Sequence, residues 1–170
     1  MKNRTKLMAT ALVLIASAST SFAQSTATAT ATAVIVSPIS LTKNVDMNFG
    51  NVAVQTAAGG TVVLATDGSR TKTGGVTLPN LAGSPTAASF TVDGQGTYTY
   101  AITLPSTALT ITSGLNTMTV DTFLSTPSAT GQLVAGTQTL SVGATLNVGA
   151  AQAAGTYVSV TPFSVTVNYN

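Results

Sequence analysis

The sequence predicts an all-β protein, an antiparallel β-sandwich, and three observations favour that fold. Apolar and polar residues alternate with period two in many short runs, as they do in strands with one buried face. Turn residues recur about every ten positions, a spacing typical of sandwiches. No stretch after residue 23 has the periodicity of an amphipathic helix.

The first 23 residues have the pattern of a secretory signal peptide. Three basic residues lie in the first six positions, and residues 7–18 are apolar but too few to span a bilayer. Residues 21–23, Ser-Phe-Ala, fit the cleavage rule. We therefore expect an exported protein whose mature chain begins at Gln24 and has no membrane span.

Removal of this segment leaves a chain with little charge. Three of the six Lys and Arg residues lie within it, so the mature chain keeps three basic residues against four aspartates, a formal charge of −1. A protein that binds a phosphate backbone needs a cluster of Lys or Arg. The composition therefore argues against nucleic acid as a partner.

The residue inventory also argues against catalysis. His, Cys and Glu are absent, which removes most acid-base groups, most nucleophiles and the usual zinc ligands. The pairs Asp67-Gly68 and Asp93-Gly94 are explained by turn geometry, since both residue types tolerate a positive φ. We expect a non-enzymatic protein with no catalytic residue, no cofactor and no metal site.

Residues 24–33 form a low-complexity arm in which Thr and Ala alternate. One period-two face continues from Ala27 to Leu41, and Pro38 on the other face favours an edge strand or a bend. The arm has three interpretations: a flexible leader, an extension of the first strand, or a strand donated to a neighbouring molecule. The donated residues would be Thr28, Thr30, Thr32, Val34, Ile35 and Val36.

Residues 34–170 are predicted to form one sandwich domain. Its clearest middle strand carries Tyr98 and Tyr100 on one face, either in the core or as an aromatic platform for carbohydrate. A long run from 140 to 148 contains Gly143, where a bulge is expected. Further strands are predicted at 45–49, 61–65, 76–78, 89–92, 109–111, 118–120 and 158–160.

The last eight residues form an alternating run that continues to the final position. One face is apolar and is predicted to face a core and to line the acceptor site for an added strand. Its members are Phe163, Val165, Val167 and Tyr169. Val158 and Val160 are out of phase with this face, and a bulge at Pro162 would restore the phase.

Four stretches in this order carry a resemblance to a known family. They read Asn-Phe-Gly-Asn-Val at 48–52, Thr-Asp-Gly-Ser-Arg-Thr at 66–71, Tyr-Thr-Tyr-Ala-Ile-Thr-Leu-Pro at 98–105 and Val-Thr-Val-Asn-Tyr at 165–169. Together they resemble the bacterial exported family catalogued as "domain of unknown function 4402". The resemblance covers roughly residues 33–170.

The end of the chain, with Tyr169 in the penultimate position, is also similar to chaperone-usher pilins and spore-coat U-like subunits. Their immunoglobulin-like sandwich lacks one strand, which the N-terminal arm of a neighbour supplies. The resemblance implies a pilin-like sandwich and a fimbria-like structural subunit that assembles by strand addition.

The same resemblance implies where the protein acts and with what. It places the chain in the periplasm, at the cell surface or outside a Gram-negative bacterium. It implies copies of the chain or related surface subunits as partners, and a periplasmic chaperone as a further candidate. The alternative function is a monomeric secreted adhesin or carbohydrate-binding module.

Overall fold

The computed structural model describes residues 23–170, so the predicted signal peptide lies outside the described residues except for its last position. Residues 23–34 and residues 35–170 belong to separate compact units. The first of these stretches has no secondary structure. The second contains thirteen strands, and the described chain includes no helix that could cross a membrane.

The strands follow one another along the chain with short connections. They are β1 (Ser40–Val45), β2 (Ala53–Val54), β3 (Gly60–Leu64), β4 (Arg70–Lys72), β5 (Val76–Thr77), β6 (Ala88–Asp93), β7 (Thr99–Thr103), β8 (Leu109–Ser113), β9 (Asn116–Thr126), β10 (Thr130–Gln132), β11 (Thr137–Val148), β12 (Val158–Ser159) and β13 (Thr166–Tyr169).

These strands form three antiparallel sheets. The largest has eight strands in the order β1-β6-β11-β9-β8-β12, with β3 paired to β11 and β4 paired to β3. A second sheet has the order β10-β7-β13, and β2 pairs with β5 in a third. The prediction of an all-β antiparallel sandwich is confirmed.

Two apolar clusters form the core. The first lies between the large sheet and the three-stranded sheet; its buried members are Ala88, Val92, Tyr100, Leu133, Leu140, Val142 and Val167. The second lies between the large sheet and the two-stranded sheet; its buried members are Val62, Val76, Val120, Ala144, Leu146 and Val148. Strand β11 contributes to both clusters and is the centre of the fold.

The predicted irregularity beside Gly143 is confirmed. The pairing of β11 with β9 shifts register between Gly143 and Thr145, and the extra residue lies on β9, where Thr122 has φ 49°. Gly143 itself allows a close approach of two strands, because a Cβ there would lie 2.2 Å from the Leu64 carbonyl oxygen. A side chain at this position would push β3 away from β11.

Of the two predicted Asp-Gly turns, Asp67-Gly68 is confirmed, whereas Asp93 is the last residue of β6, Gly94 has no positive φ, and the chain turns at residues 95–97. Gly68 has φ 83° in the turn from β3 to β4, and the backbone N–H of Ser69 donates to Asp67 Oδ1 over 2.8 Å. The side-chain hydrogen bond from Ser69 is the main cause that holds the pKa of the Asp67 carboxyl below its usual value, and the backbone hydrogen bond from Ser69 lowers this pKa further. Turn geometry therefore accounts for this aspartate.

Of the three interpretations of the arm, extension of the first strand is wrong. The structure begins β1 at Ser40, and residues 23–39 contain no strand. Alanine side chains bury little apolar surface, so alternation alone stabilises a strand only weakly. Pro38 also lacks the N–H that a continuous ladder would require.

The predicted bulge at Pro162 is also wrong. Thr161 and Pro162 connect β12 to β13, which belong to different sheets, so the change of phase reflects a change of sheet. Strand β13 is shorter than predicted and starts at Thr166. Phe163 and Val165 precede it, yet both pack against the first core cluster, as their pattern predicted.

Candidate functional site

Two strand edges on neighbouring sheets have no strand partner within residues 23–170. Strand β1 pairs only with β6, and strand β13 pairs only with β7. The Cα atoms of the two strands approach within 8 Å. We call the space between these two free edges the seam.

The direction of the free backbone groups on β13 follows from one hydrogen bond. Asn170 N donates to Thr99 O over 3.3 Å, which makes these two residues a hydrogen-bonded pair. Because such pairs alternate along an antiparallel ladder, Val167 and Tyr169 direct their N–H and C=O away from β7. The side chain of Val167 is buried in the first core cluster.

The free edge of β1 has the same arrangement. The hydrogen bond from Gly94 N to Gly136 O (2.8 Å) sets the alternation between β6 and β11. The residues of β6 that do not bond β11 face β1 and bond Ser40 and Thr42. The N–H and C=O of Leu41, which lies between these two residues, therefore face outward. The Leu41 side chain is half-buried against the first core cluster.

At both edges, then, the available backbone groups belong to residues whose side chains face the core. Residues that pair across an antiparallel ladder place their side chains on the same face of the sheet. A strand added beside Val167 or Leu41 would therefore insert alternate side chains between the two sheets. The geometry suits a strand with one apolar face.

The hydroxyl of Tyr169 closes one end of the seam. It accepts a hydrogen bond from Gln95 N (2.6 Å) and donates one to Ser37 O (2.9 Å), while Ser37 N donates to Gln95 Oε1 (3.3 Å). A Cβ at Gly94 would lie 2.2 Å from this hydroxyl, so the position requires glycine. We call Tyr169, Gln95 and Ser37 the clasp.

The predicted donor residues are mostly exposed. Thr28, Thr30, Thr32 and Val34 have no secondary structure, and Ile35 is 93% exposed. Val36, the last of the predicted set, is half-buried. These residues therefore retain apolar surface that the described fold leaves uncovered.

The predicted acceptor residues all pack against the first core cluster. Val167 is buried, whereas Phe163, Val165 and Tyr169 are half-buried. The ring of Phe163 lies 5.1 Å from that of Phe123, centroid to centroid. The structure brings these four residues to one face, as predicted.

Sequence reasoning missed three residues of this site. Leu41 lies on the predicted alternating face, so its place at a free edge could have been inferred from that pattern. Ser37 and Gln95 carry no local signal, because their roles depend on Tyr169, 132 and 74 residues away.

Tyr98 and Tyr100, the two tyrosines considered as a carbohydrate platform, have different environments in the structure. Tyr100 is fully buried, and its hydroxyl donates to Gln138 Oε1 over 2.7 Å. Burial raises the pKa of this hydroxyl above its usual value. Tyr98 is half-exposed but stands edge-on to Tyr169, with 5.7 Å between ring centroids. The pair does not form a flat exposed surface.

Acidic groups are scattered in the described part of the chain. Lys43 and Asp46 form an exposed ion pair of 2.7 Å. Asp121 accepts a hydrogen bond from Asn147 Nδ2 over 2.9 Å. No three His, Cys, Asp or Glu side chains within residues 23–170 lie close enough to hold a metal ion.

A family model described as a domain of unknown function, DUF4402, matches residues 39–169. The chain belongs to this family. Searches among curated proteins and among solved structures find no significant match.

The DUF4402 match includes both strands that border the seam. Its first residue directly precedes β1, and its last residue is Tyr169 of the clasp. Both free edges are therefore part of the family domain. The Thr-Ala arm precedes the matched region.

Proposed function

We propose that this DUF4402 protein is a non-enzymatic structural subunit of the bacterial cell surface, and that copies assemble by β-strand addition. The arm of one copy would dock at the seam of the next. One observation carries the proposal: the backbone groups free at both edges belong to core-facing residues, so an added strand would complete the core.

The signal-like first segment supports export, and the pilin-like end of the chain supports a fimbria-like assembly. Related surface subunits are alternative partners to a second copy. Because an unpaired apolar edge invites aggregation, a periplasmic chaperone that covers the seam before assembly fits the same geometry. The protein would then act in the periplasm and at the cell surface.

The two faces of the arm are not equivalent for this role. Even-numbered positions carry threonine from 26 to 32 and valine at 34 and 36, and odd-numbered positions from 27 to 35 are apolar. The apolar face consists of Ala27, Ala29, Ala31, Ala33 and Ile35. Because the seam accepts side chains between two sheets, we propose that this apolar face turns inward and that Ile35 is its anchor. Burial of one isoleucine contributes about 1.5–3 kcal/mol, more than any alanine.

Deletion of residues 24–35, which removes the arm and its anchor Ile35, tests whether this segment is needed. The chain that starts at Gln24 is expected to form particles larger than a monomer, and the truncated chain is expected to remain monomeric. Size-exclusion chromatography with light scattering and electron microscopy measure both. A full-length mature chain that is monomeric, or a truncated chain that assembles as the longer one does, contradicts the proposal.

A pair of substitutions tests which face of the arm enters the seam. Ala31→Asp places a charge on the apolar face, and Thr30→Asp places the same charge on the opposite face. Assembly is expected to be lost in the first variant and kept in the second, because an unpaired buried charge is costly. Equal behaviour of the two variants would refute the assigned orientation, even where the deletion shows that the arm is required.

The alternative of a monomeric secreted adhesin or carbohydrate-binding module stays a prediction. Its original basis was the pair Tyr98 and Tyr100, and the burial of Tyr100 removes that basis. A monomeric mature chain in the experiment above would favour it over strand addition.

A further inference from the structure

A groove of about 520 Å³ lies at one end of the eight-stranded sheet, away from the seam. Three strands, β3, β9 and β11, and the segment after β11 form this shallow groove. Its side chains that can hydrogen-bond are Thr61, Thr117, Thr119, Asn147 and Gln152. No residue of β1 or β13 lines it.

The two amide side chains of the groove are held in fixed orientations. Asn147 Nδ2 donates to Asp121 Oδ2 over 2.9 Å. Gln152 Nε2 donates to Thr117 O over 3.2 Å and to the Tyr157 hydroxyl over 2.8 Å. Because each nitrogen is engaged, the amide oxygens Asn147 Oδ1 and Gln152 Oε1 remain as acceptors, and neither accepts a hydrogen bond from residues 23–170.

The hydroxyls of Thr117 and Thr119 are two further groups that could hydrogen-bond a ligand. Both side chains are exposed on β9, and within the described chain neither hydroxyl has a hydrogen-bond partner. The groove therefore offers two oriented carbonyl acceptors and two hydroxyls. Asn147, Thr117 and Thr119 lie on β11 and β9, which pair on both sides, and Gln152 lies in the segment after β11. A matching ligand would donate several hydrogen bonds.

The charges in and beside the groove limit the class of ligand that it could bind. None of the residues that line the groove is charged, and the Asp121 carboxylate beside it is hydrogen-bonded to Asn147. An anionic ligand would find no cation in the lining, and an apolar ligand would leave the amide oxygens desolvated without partners. A neutral molecule rich in hydroxyl groups satisfies both conditions.

We propose that this groove binds a neutral glycan. Sugar hydroxyls would donate to Asn147 Oδ1 and Gln152 Oε1 and exchange hydrogen bonds with Thr117 and Thr119. The site is separate from the seam, so it does not depend on strand addition. It would give an assembled or a monomeric subunit the same contact surface for uncharged polysaccharide.

A glycan array tests the class of ligand directly. The array carries uncharged oligosaccharides of glucose, mannose, galactose and N-acetylglucosamine beside sialylated and sulfated ones, and the probe is the chain that starts at Gln24. Binding to one or more uncharged glycans is expected. Binding to none of them, or a preference for the anionic ones, would overturn the proposal.

Two double variants then test the location. Thr117→Val with Thr119→Val removes both groove hydroxyls while keeping side-chain shape. Thr110→Val with Thr112→Val makes the same change on β8, at the cross-strand partners of those residues and outside the groove. Titration of the bound neutral glycan is expected to show a loss of about tenfold or more in the first variant and little change in the second. Equal affinity of the two variants refutes the site.

Discussion

Strands β12 and β13 have similar sequences and opposite environments. Val158-Ser-Val160 covers β12 and the residue after it, and Val165-Thr-Val167 covers the residue before β13 and its first two residues. Both alternate valine with a small hydroxyl residue, and each strand lies at the edge of a sheet. Val158 is 61% exposed and Val160 81%, whereas Val167 is 9% exposed. An alternating pattern therefore identifies a strand without showing which of its faces another sheet will cover.

The pairing partners of the two strands explain the difference. Val158 pairs with Thr112, whose neighbour Ile111 packs against the second core cluster. Because side chains alternate, Thr112 and Val158 face away from that cluster. On β13 the pairing of Val167 with Ile102 places both side chains against the first core cluster.

The largest expected difference comes from a charge introduced into each strand. Val167→Asp buries a carboxylate without a partner, and we expect it to lower the free energy of unfolding by about 4 kcal/mol or to prevent folding. Val160→Asp leaves the carboxylate in water and is expected to change it by less than about 0.5 kcal/mol. Urea denaturation followed by circular dichroism measures both. Similar losses would show that β12 is as covered as β13.

Loss of one hydroxyl near each strand is expected to have a smaller effect. Tyr169→Phe removes the clasp and leaves the part-buried N–H of Gln95 without its partner, at an expected cost of about 1.5 kcal/mol. Tyr157→Phe, just before β12, removes only local bonds, the one its hydroxyl donates to Ala153 O and the one it accepts from Gln152 Nε2, and is expected to cost about 0.5 kcal/mol. Amide hydrogen exchange at Gln95 is expected to accelerate only in Tyr169→Phe; unchanged exchange contradicts the role of the clasp.

Stability at high pH is expected to depend on Tyr100, which lies opposite Tyr169 on β7. Burial raises the folded-state pKa of Tyr100 above the unfolded value of 10.0, so the unfolded chain releases this proton first. The stabilisation is present below about pH 10 and is lost as the pH rises toward the folded-state pKa. Tyr100→Phe is expected to show a shallower loss of stability above that pH. Parallel pH profiles of the two proteins would contradict the assignment.

The smallest effect is expected for the exposed valines in β12 and directly after it. Val158→Thr with Val160→Thr keeps β-branched side chains and removes apolar surface that faces water, so stability is expected to change by less than about 0.5 kcal/mol. Thermal unfolding measures it. A clear loss would mean that these valines are covered in solution by another molecule.

Local pattern predicted much of this fold. The alternating face of residues 163–169, the long run through β11 and the Asp67-Gly68 turn were all inferred from the sequence. These features depend on periodicity or on the φ preference of two adjacent residues, which the local sequence contains.

Other features depended on distant partners and could not be predicted. The exposure of Tyr98 and of Val158 depends on which sheet covers each strand, whereas the core position considered for both tyrosines is confirmed for Tyr100 alone. The clasp needs a backbone oxygen at Ser37, which any residue type would provide. Family resemblance was right about the DUF4402 domain, and the fimbrial interpretation stays a proposal.

The clasp also has a consequence for chain connectivity. Since Tyr169 bonds Ser37, the first and last segments of the sandwich meet at one corner, and a short linker from Asn170 to Ser37 would bridge them. New ends fit at the β8–β9 turn, where Leu115 is fully exposed and Gly114 has open space around it. A circular permutant cut there is expected to fold, since the order of strands in space would be unchanged.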